Sequence, residues 1–128
     1  MPVYAYAFTA VAGRLNEWRI TVEGETVAYV SFSFPPGPSN LLRVAVFYGG
    51  KKIWPWGEAQ WFVGDGVTVG FSEDWRLPES PCTLRVLADA TACLYDHMFT
   101  FWLRTEPFKP TVAFKYHVTQ DGFVEVVV

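Results

Sequence analysis

Apolar and polar residues alternate along most of this chain, in short runs separated by turn residues. In the run TVAYVSFSF, which begins at Thr26, every second residue from Val30 onward is a large apolar one, and serines stand between them. A period of two is typical of a β-strand with one buried face. No window of a dozen residues has the spacing of a capped amphipathic helix. We therefore expect an all-β protein with less than about 10% helix and at least about seven strands.

About ten runs of this kind are separated by turn signals, of which Gly49-Gly50 and Asp121-Gly122 predict tight hairpins. The polar stretch 72–81 is expected to be a long loop, and the runs before and after residues 91–93 are expected to pair with each other. Many short strands with regular turns are typical of a sandwich or barrel. We expect an antiparallel β-sandwich of immunoglobulin-like or jelly-roll type. The predicted strands cover residues 3–10, 17–22, 26–34, 41–48, 51–54, 60–63, 67–71, 82–90, 94–104, 111–118 and 123–128.

The length of 128 residues fits one domain. We expect residues 1–106 to form the sandwich, including the N-terminal strand, and residues 107–128 to form a C-terminal hairpin arm. The last run, FVEVVV, would be prone to aggregate as a lone exposed edge. It must therefore pair, either within the monomer or with a neighbouring chain. The apolar residues expected at such a contact are Phe114, Tyr116, Phe123, Val124 and Val126.

Three tryptophans lie close together in the stretch KKIWPWGEAQWF. Trp61 begins a strand and is expected to be core. Trp54 and Trp56 cannot both point inward from so tight a bend, so we expect at least one of them in a patch that is exposed or covered by a partner. A protein partner is favoured over a sugar, because interfaces are rich in tryptophan. A sugar site would also need polar neighbours, and Glu58 and Gln60 are the only local ones.

No catalytic or metal-binding pattern is found in the sequence. Asp96 and His97 are adjacent on a predicted strand and so face opposite sides, which is poor geometry for a catalytic pair. His97 is expected to be a core or boundary histidine. Asp65, Glu73 and Asp74 are too few and too far apart for a calcium site. There is no glycine-rich phosphate loop and no nucleophile motif. We expect no enzyme, no catalytic residue, no metal and no cofactor.

Charge and cysteine content limit the expected partners and cellular location. The net charge is −3, and the basic residues form no cluster, so we expect no nucleic-acid partner. The longest uncharged stretch contains prolines and predicts no membrane-spanning helix. No basic segment precedes an apolar one at the N-terminus, so we expect synthesis in the cytoplasm without secretion, or export inside a larger assembly. Cys82 and Cys93 are then expected to be free, buried thiols.

The chain contains few amide side chains, 9 prolines and more arginine than lysine. This composition is typical of proteins from hot environments. A GC-rich genome alone would produce part of the same bias. We favour a thermophilic source and expect a melting temperature above about 80 °C.

In its size, its β content and the stretches WPWGEAQW and TVAFKYHVTQDGFVEVVV, the chain resembles the small decoration proteins that cement the capsids of thermophilic tailed phages. The resemblance covers the chain as an architecture. It implies a homo-oligomer, typically a trimer, bound to capsid protein on the virion surface without a cofactor. The alternatives are a phage tail or adaptor component, a carbohydrate- or ligand-binding sandwich with exposed tryptophan, and a cytoplasmic location. Native mass in solution would separate a shell component from a monomeric binding module.

Overall fold

The structure, a computed structural model, describes residues 3–37, 39–57, 60–107, 115–118 and 124–127. These residues contain β-strands and no helix, which confirms the all-β fold expected from the sequence. The strands are β1 (Val3–Ala10), β2 (Leu15–Val22), β3 (Thr26–Phe34), β4 (Arg43–Tyr48), β5 (Lys51–Trp54), β6 (Phe62–Val63), β7 (Val67–Arg76), β8 (Cys82–Asp89), β9 (His97–Glu106), β10 (Lys115–Val118) and β11 (Val124–Val127).

The first nine strands form two antiparallel sheets packed over one apolar core. One sheet has the order β1-β9-β3-β7, and the other has the order β2-β8-β4-β5, with β6 also paired to β4. Apart from the β4–β5–β6 segment, each strand is followed in sequence by a strand of the opposite sheet. Two sheets of four and five strands connected in this way make a jelly roll, in which β6 is an extra strand. The strand order therefore identifies the sandwich as a jelly roll rather than an immunoglobulin-like fold.

Two expectations about the middle of the chain are wrong. The stretch 72–81 is not all loop, because β7 continues to Arg76 and alternates half-buried and exposed residues to its end. One of its inward positions is occupied by Glu73, a charged residue where an alternating strand would have an apolar one, so the sequence does not show the strand continuing here. The strands β8 and β9 do not pair with each other: β8 lies between β2 and β4, and β9 lies between β1 and β3. The intervening residues 90–96 cross between the sheets, which lie only about 10 Å apart in a sandwich.

The core consists of the inward-facing residues of both sheets, and aromatic rings dominate it. Phe32 stacks on Phe101 and on Phe62, with 4.7 Å between ring centroids in each pair. At the β1 edge, Phe8 stacks on Trp18 of the opposite sheet at 4.5 Å. Each fully buried phenylalanine contributes about 1.5–3 kcal/mol relative to exposure. These contacts join the two sheets across the whole width of the sandwich.

Most of the segments that connect the strands lie at two opposite ends of the sandwich. The first, which we call the loop end, consists of residues 11–14, 35–42 (Pro38 is not described), 64–66 and 90–96. Its segments are tied together, since Ala12 N–H donates to Asp96 Oδ1 at 2.8 Å and Gly37 N–H donates to Asp65 Oδ1 at 2.6 Å. The opposite end, the turn end, consists of residues 23–25, 49–50 and 77–81. Here Gly24 has φ +142°, and a Cβ would lie 2.8 Å from the Glu106 carbonyl oxygen.

The C-terminal strands β10 and β11 form a two-stranded antiparallel sheet of their own, with Lys115 opposite Val127. This agrees with the predicted terminal hairpin. Cys82 and Cys93 are both buried and both free. No helix long and apolar enough to cross a membrane occurs among the described residues.

Candidate functional site

Trp54 and Trp56 have opposite environments. The Trp54 side chain is fully buried, packs edge-on against Trp75 with centroids 5.8 Å apart, and donates its indole N–H to Glu73 Oε2 at 2.7 Å. Two residues later, beyond a cis Trp54–Pro55 bond, Trp56 is 68% exposed. The expectation that at least one of the pair lies outside the core is confirmed. Trp54 cannot be an interface residue of the folded chain, however, and only Trp56 stays a candidate.

The expectation that Trp61 is core is wrong. Its ring is half-buried, and the guanidinium of Arg43 lies over it at 5.2 Å from the centroid. The physical reason is the position of β6, which begins one residue later and pairs with Arg43 and Val44. By the register of β4, Arg43 is on the outer face of the sheet, so Trp61 covers that face from outside.

A depression of about 470 Å3 lies on the outer face of this sheet at its β5 edge. Phe47 faces outward here, because it pairs with Arg85, an outward residue of β8. We call this hollow the Trp56 depression. It is lined by Phe47, Gly50, Lys51, Lys52, Trp56, Gly57 and Trp61.

Trp56 borders two further hollows, so its ring stands between concave surfaces. One, of about 370 Å3, extends from Trp56 to Tyr48 and Trp75, and the other, of about 240 Å3, extends to Gln60 and Phe71. The Tyr48 hydroxyl donates to Glu79 Oε1 at 3.1 Å, and desolvation together with this hydrogen bond raises the pKa of Tyr48. Several aromatic rings from different strands therefore border the hollows around Trp56.

The loop end is a second candidate surface, and sequence reasoning missed it. Of the ten large hydrophobic side chains exposed in the described residues, eight lie on or beside the loops of this end. The most exposed are Leu94 at 85% and Tyr95 at 74%. The sequence pattern predicts both within a strand over residues 94–104, but β9 begins only at His97. The eight residues are Val11, Leu15, Leu41, Val63, Val67, Leu94, Tyr95 and Met98.

Most acidic residues considered as metal ligands or catalytic groups accept hydrogen bonds within the fold. Glu73 accepts from Trp54, Asp65 from Gly37, and Asp96 from Ala12. His97 is a half-buried boundary residue, as expected. The part of the chain that the structure describes contains no group of three His, Cys, Asp or Glu side chains that could hold a metal ion.

One ion pair supports the edge of the Trp56 depression. Arg43, which lies over Trp61, also pairs with Asp89. Burial of Asp89 alone would raise its pKa, but the hydrogen bonds from Thr91 and the pairing with Arg43 outweigh burial and hold the pKa below its usual value. Asp89 therefore stays ionised and keeps the guanidinium fixed against the indole.

The predicted contact residues of the arm belong to the C-terminal hairpin, of which the pairing of β10 with β11 is described. Phe114 and Phe123 lie outside the described residues. Tyr116, Val124 and Val126 lie in β10 and β11, whose backbone pairing alone is described. The contact expected for them stays a prediction.

Comparison with known proteins found no matching family model and no curated protein of similar sequence.

Proposed function

We propose that this protein is a non-enzymatic structural component that assembles with other protein chains, specifically a decoration or stabilising protein on a virion surface. The expected state is a homo-oligomer, with a trimer favoured, bound to capsid protein. A phage tail or adaptor component is the alternative within the same class. The fold alone does not decide, because jelly rolls occur in viral capsid proteins and in lectins.

The observation that carries the proposal is the apolar loop end. Eight of the ten exposed large apolar side chains of the described residues lie at this end, and exposed apolar clusters mark contact sites with other molecules. Leu94 and Tyr95 protrude from a loop that hydrogen bonds fix at both sides, since Gly13 N–H donates to the Ala90 carbonyl at 2.9 Å and Asp96 accepts from Ala12. A rigid apolar tip of this kind can bind without a large cost for ordering the loop.

The open edge of the β1-β9-β3-β7 sheet supports the same proposal. In the described chain β1 pairs only with β9, in unbroken register from Val3 to Ala10. The sequence of β1, VYAYAFTA, has no charge and no proline. Natural proteins usually protect long edges with such residues, so an unprotected edge favours addition of a strand from another chain.

The native mass of the protein tests this proposal. We expect light scattering to give about three times the chain mass of 14.5 kDa. Leu94→Ser combined with Tyr95→Ser should weaken association by at least about a hundredfold, because burying each such side chain is worth about 1.5–3 kcal/mol. Thr83→Ala, an exposed position on the outer face of β8, is the control and should leave the mass unchanged. Trp56→Ala tests separately whether the contact predicted for Trp56 contributes to assembly. A wild-type monomer at all concentrations would contradict self-assembly and favour a monomeric binding module.

A second candidate function, carbohydrate or ligand binding, is favoured by one specific observation. Trp56 is exposed beside a hollow that contains two other aromatic rings. This surface lies apart from the loop end, so the two roles are compatible.

A further inference from the structure

We propose that the Trp56 depression is a binding site for an acidic saccharide, that is, a sugar ring that carries a carboxylate. The inference goes beyond assembly and does not depend on it, because the depression lies at the β5 edge and not at the loop end. It rests on the shape of the hollow, on the aromatic rings that line it and on the kind of polar group available there.

The size and lining of the hollow suit a small ring-shaped ligand. Its volume of about 470 Å3 falls within the range of about 300–1,000 Å3 that small-molecule sites usually have. Phe47, Trp56 and Trp61 present three aromatic rings to it. The C–H groups on one face of a pyranose ring are apolar and weakly positive, so they pack well against the negative face of an aromatic ring.

The surroundings hold the rings in place. Arg43 fixes Trp61 from one side, and Arg85 lies over Phe47 at 5.8 Å from its centroid. Both arginines are already engaged, Arg43 with Asp89 and Arg85 with Glu17. Their charges are therefore compensated, and they act as supports for the rings.

The polar side chains point to an acidic ligand. The charged side chains that line the hollow in the described residues are Lys51 and Lys52, and ammonium and indole groups can only donate hydrogen bonds. Lys52 donates to the Gln60 carbonyl at 2.6 Å, whereas Lys51 is exposed and pairs with no described residue. Neutral sugar hydroxyls need acceptors as well as donors. An acidic sugar carries the same hydroxyls, but its carboxylate adds a group that needs only donors, which the exposed ammonium of Lys51 supplies.

A small ligand fits the hollow better than a protein partner does. A stable protein contact buries about 800 Å2 on each partner. The hollow is bounded by the β4–β5 hairpin and by the segment after Trp54, so it is far smaller than such a contact. An acidic peptide could still reach the same lysine, and it is therefore included in the test.

Calorimetric titration of the full chain with a panel of tetrasaccharides tests the proposal. The panel contains galacturonate, glucuronate and mannuronate tetramers, the methyl-esterified neutral form of each, and tetraglutamate as an acidic peptide. We expect saturable binding of at least one uronate, with the neutral ester and tetraglutamate at least about tenfold weaker. Raising the salt from about 0.15 M to about 1 M shortens the Debye length from about 8 to about 3 Å and should also weaken binding.

Variants locate the site. Trp56→Ala should weaken binding of the uronate at least about tenfold, which is the effect expected from loss of a stacking ring. Lys51→Gln should weaken it severalfold, and Leu94→Ser, an exposed apolar control at the loop end, should leave it unchanged. No saturable binding of any uronate, equal binding of the neutral ester or of tetraglutamate, or binding that survives Trp56→Ala would each overturn the proposal. The native mass of the same variants reports on assembly separately, so failure of one proposal is distinguishable from failure of the other.

Discussion

At the scale of single residues, we expect substitutions of Trp54 and Trp56 to have very different effects on the free energy of unfolding. Trp54 is fully buried and hydrogen-bonded, so Trp54→Ala should lower the free energy of unfolding by about 3–5 kcal/mol. Trp56 is exposed, so Trp56→Ala should change it by less than about 0.5 kcal/mol. Urea denaturation followed by far-ultraviolet circular dichroism measures both. Similar losses for the two variants would show that the assignment of one ring to the core and the other to the surface is wrong.

The two thiols give a prediction for alkaline pH. Burial raises the pKa of Cys82 and of Cys93, with smaller contributions from Glu79 and Asp89 respectively. The native state therefore binds the thiol protons more tightly than the unfolded state. The resulting stability is fully present below the unfolded thiol pKa of about 8.5 and is lost as pH rises above it towards the folded pKa. We expect the free energy of unfolding to fall as pH rises above about 8.5, and to fall less in the Cys82→Ala, Cys93→Ala variant.

Alkylation tests the state of the same thiols. Without reductant, both should react quickly in denaturant and slowly in the native protein, because only the exposed thiolate is reactive. An unreactive denatured chain that is two protons lighter would instead reveal a disulfide.

At the scale of strands, the C-terminal arm is the element whose removal is most informative. All nine strands of the two sheets lie within residues 3–106, so a chain that ends after Pro107 should keep the sandwich fold. If the arm pairs with a neighbouring copy, the truncated chain should be monomeric at concentrations where the full chain is oligomeric. Light scattering and circular dichroism on the two chains decide this. A truncated chain that assembles as the full one does would exclude the arm as the connector.

The strand pattern was readable from the sequence, whereas the path between the sheets was not. Alternation located β1 and β3 to the residue, because each has one apolar face and clear turn signals on both sides. The same turn residues can connect two strands of one sheet or two strands of different sheets. The local sequence therefore does not show that β8 and β9 lie in different sheets. The end of β7 was hidden by Glu73, whose inward position makes sense only beside Trp54.

At the scale of the whole molecule, the two candidate surfaces lie on different parts of one rigid sandwich. The stretch around Trp56 was found from the sequence, because three tryptophans in so short a run exceed what a bend can bury. Which ring is buried could not be predicted, since it depends on Trp75 and Glu73 of a distant strand. The loop end was missed because its apolar residues come from separate loops and strand ends that only the fold brings together.

Both the composition and the fold of the chain predict a high melting temperature. Few amides, many prolines and an excess of arginine over lysine fit a protein from a hot environment. The fold adds short connections, such as residues 23–25, 49–50 and 64–66, which leave little loop entropy to lose. We expect calorimetry to give a melting temperature above about 80 °C, against about 45–65 °C for most mesophilic domains. Scans at several protein concentrations should show the temperature rising with concentration if the chain assembles, because association stabilises the folded state by mass action. A transition near about 50 °C would mean that the composition reflects a GC-rich genome and not heat.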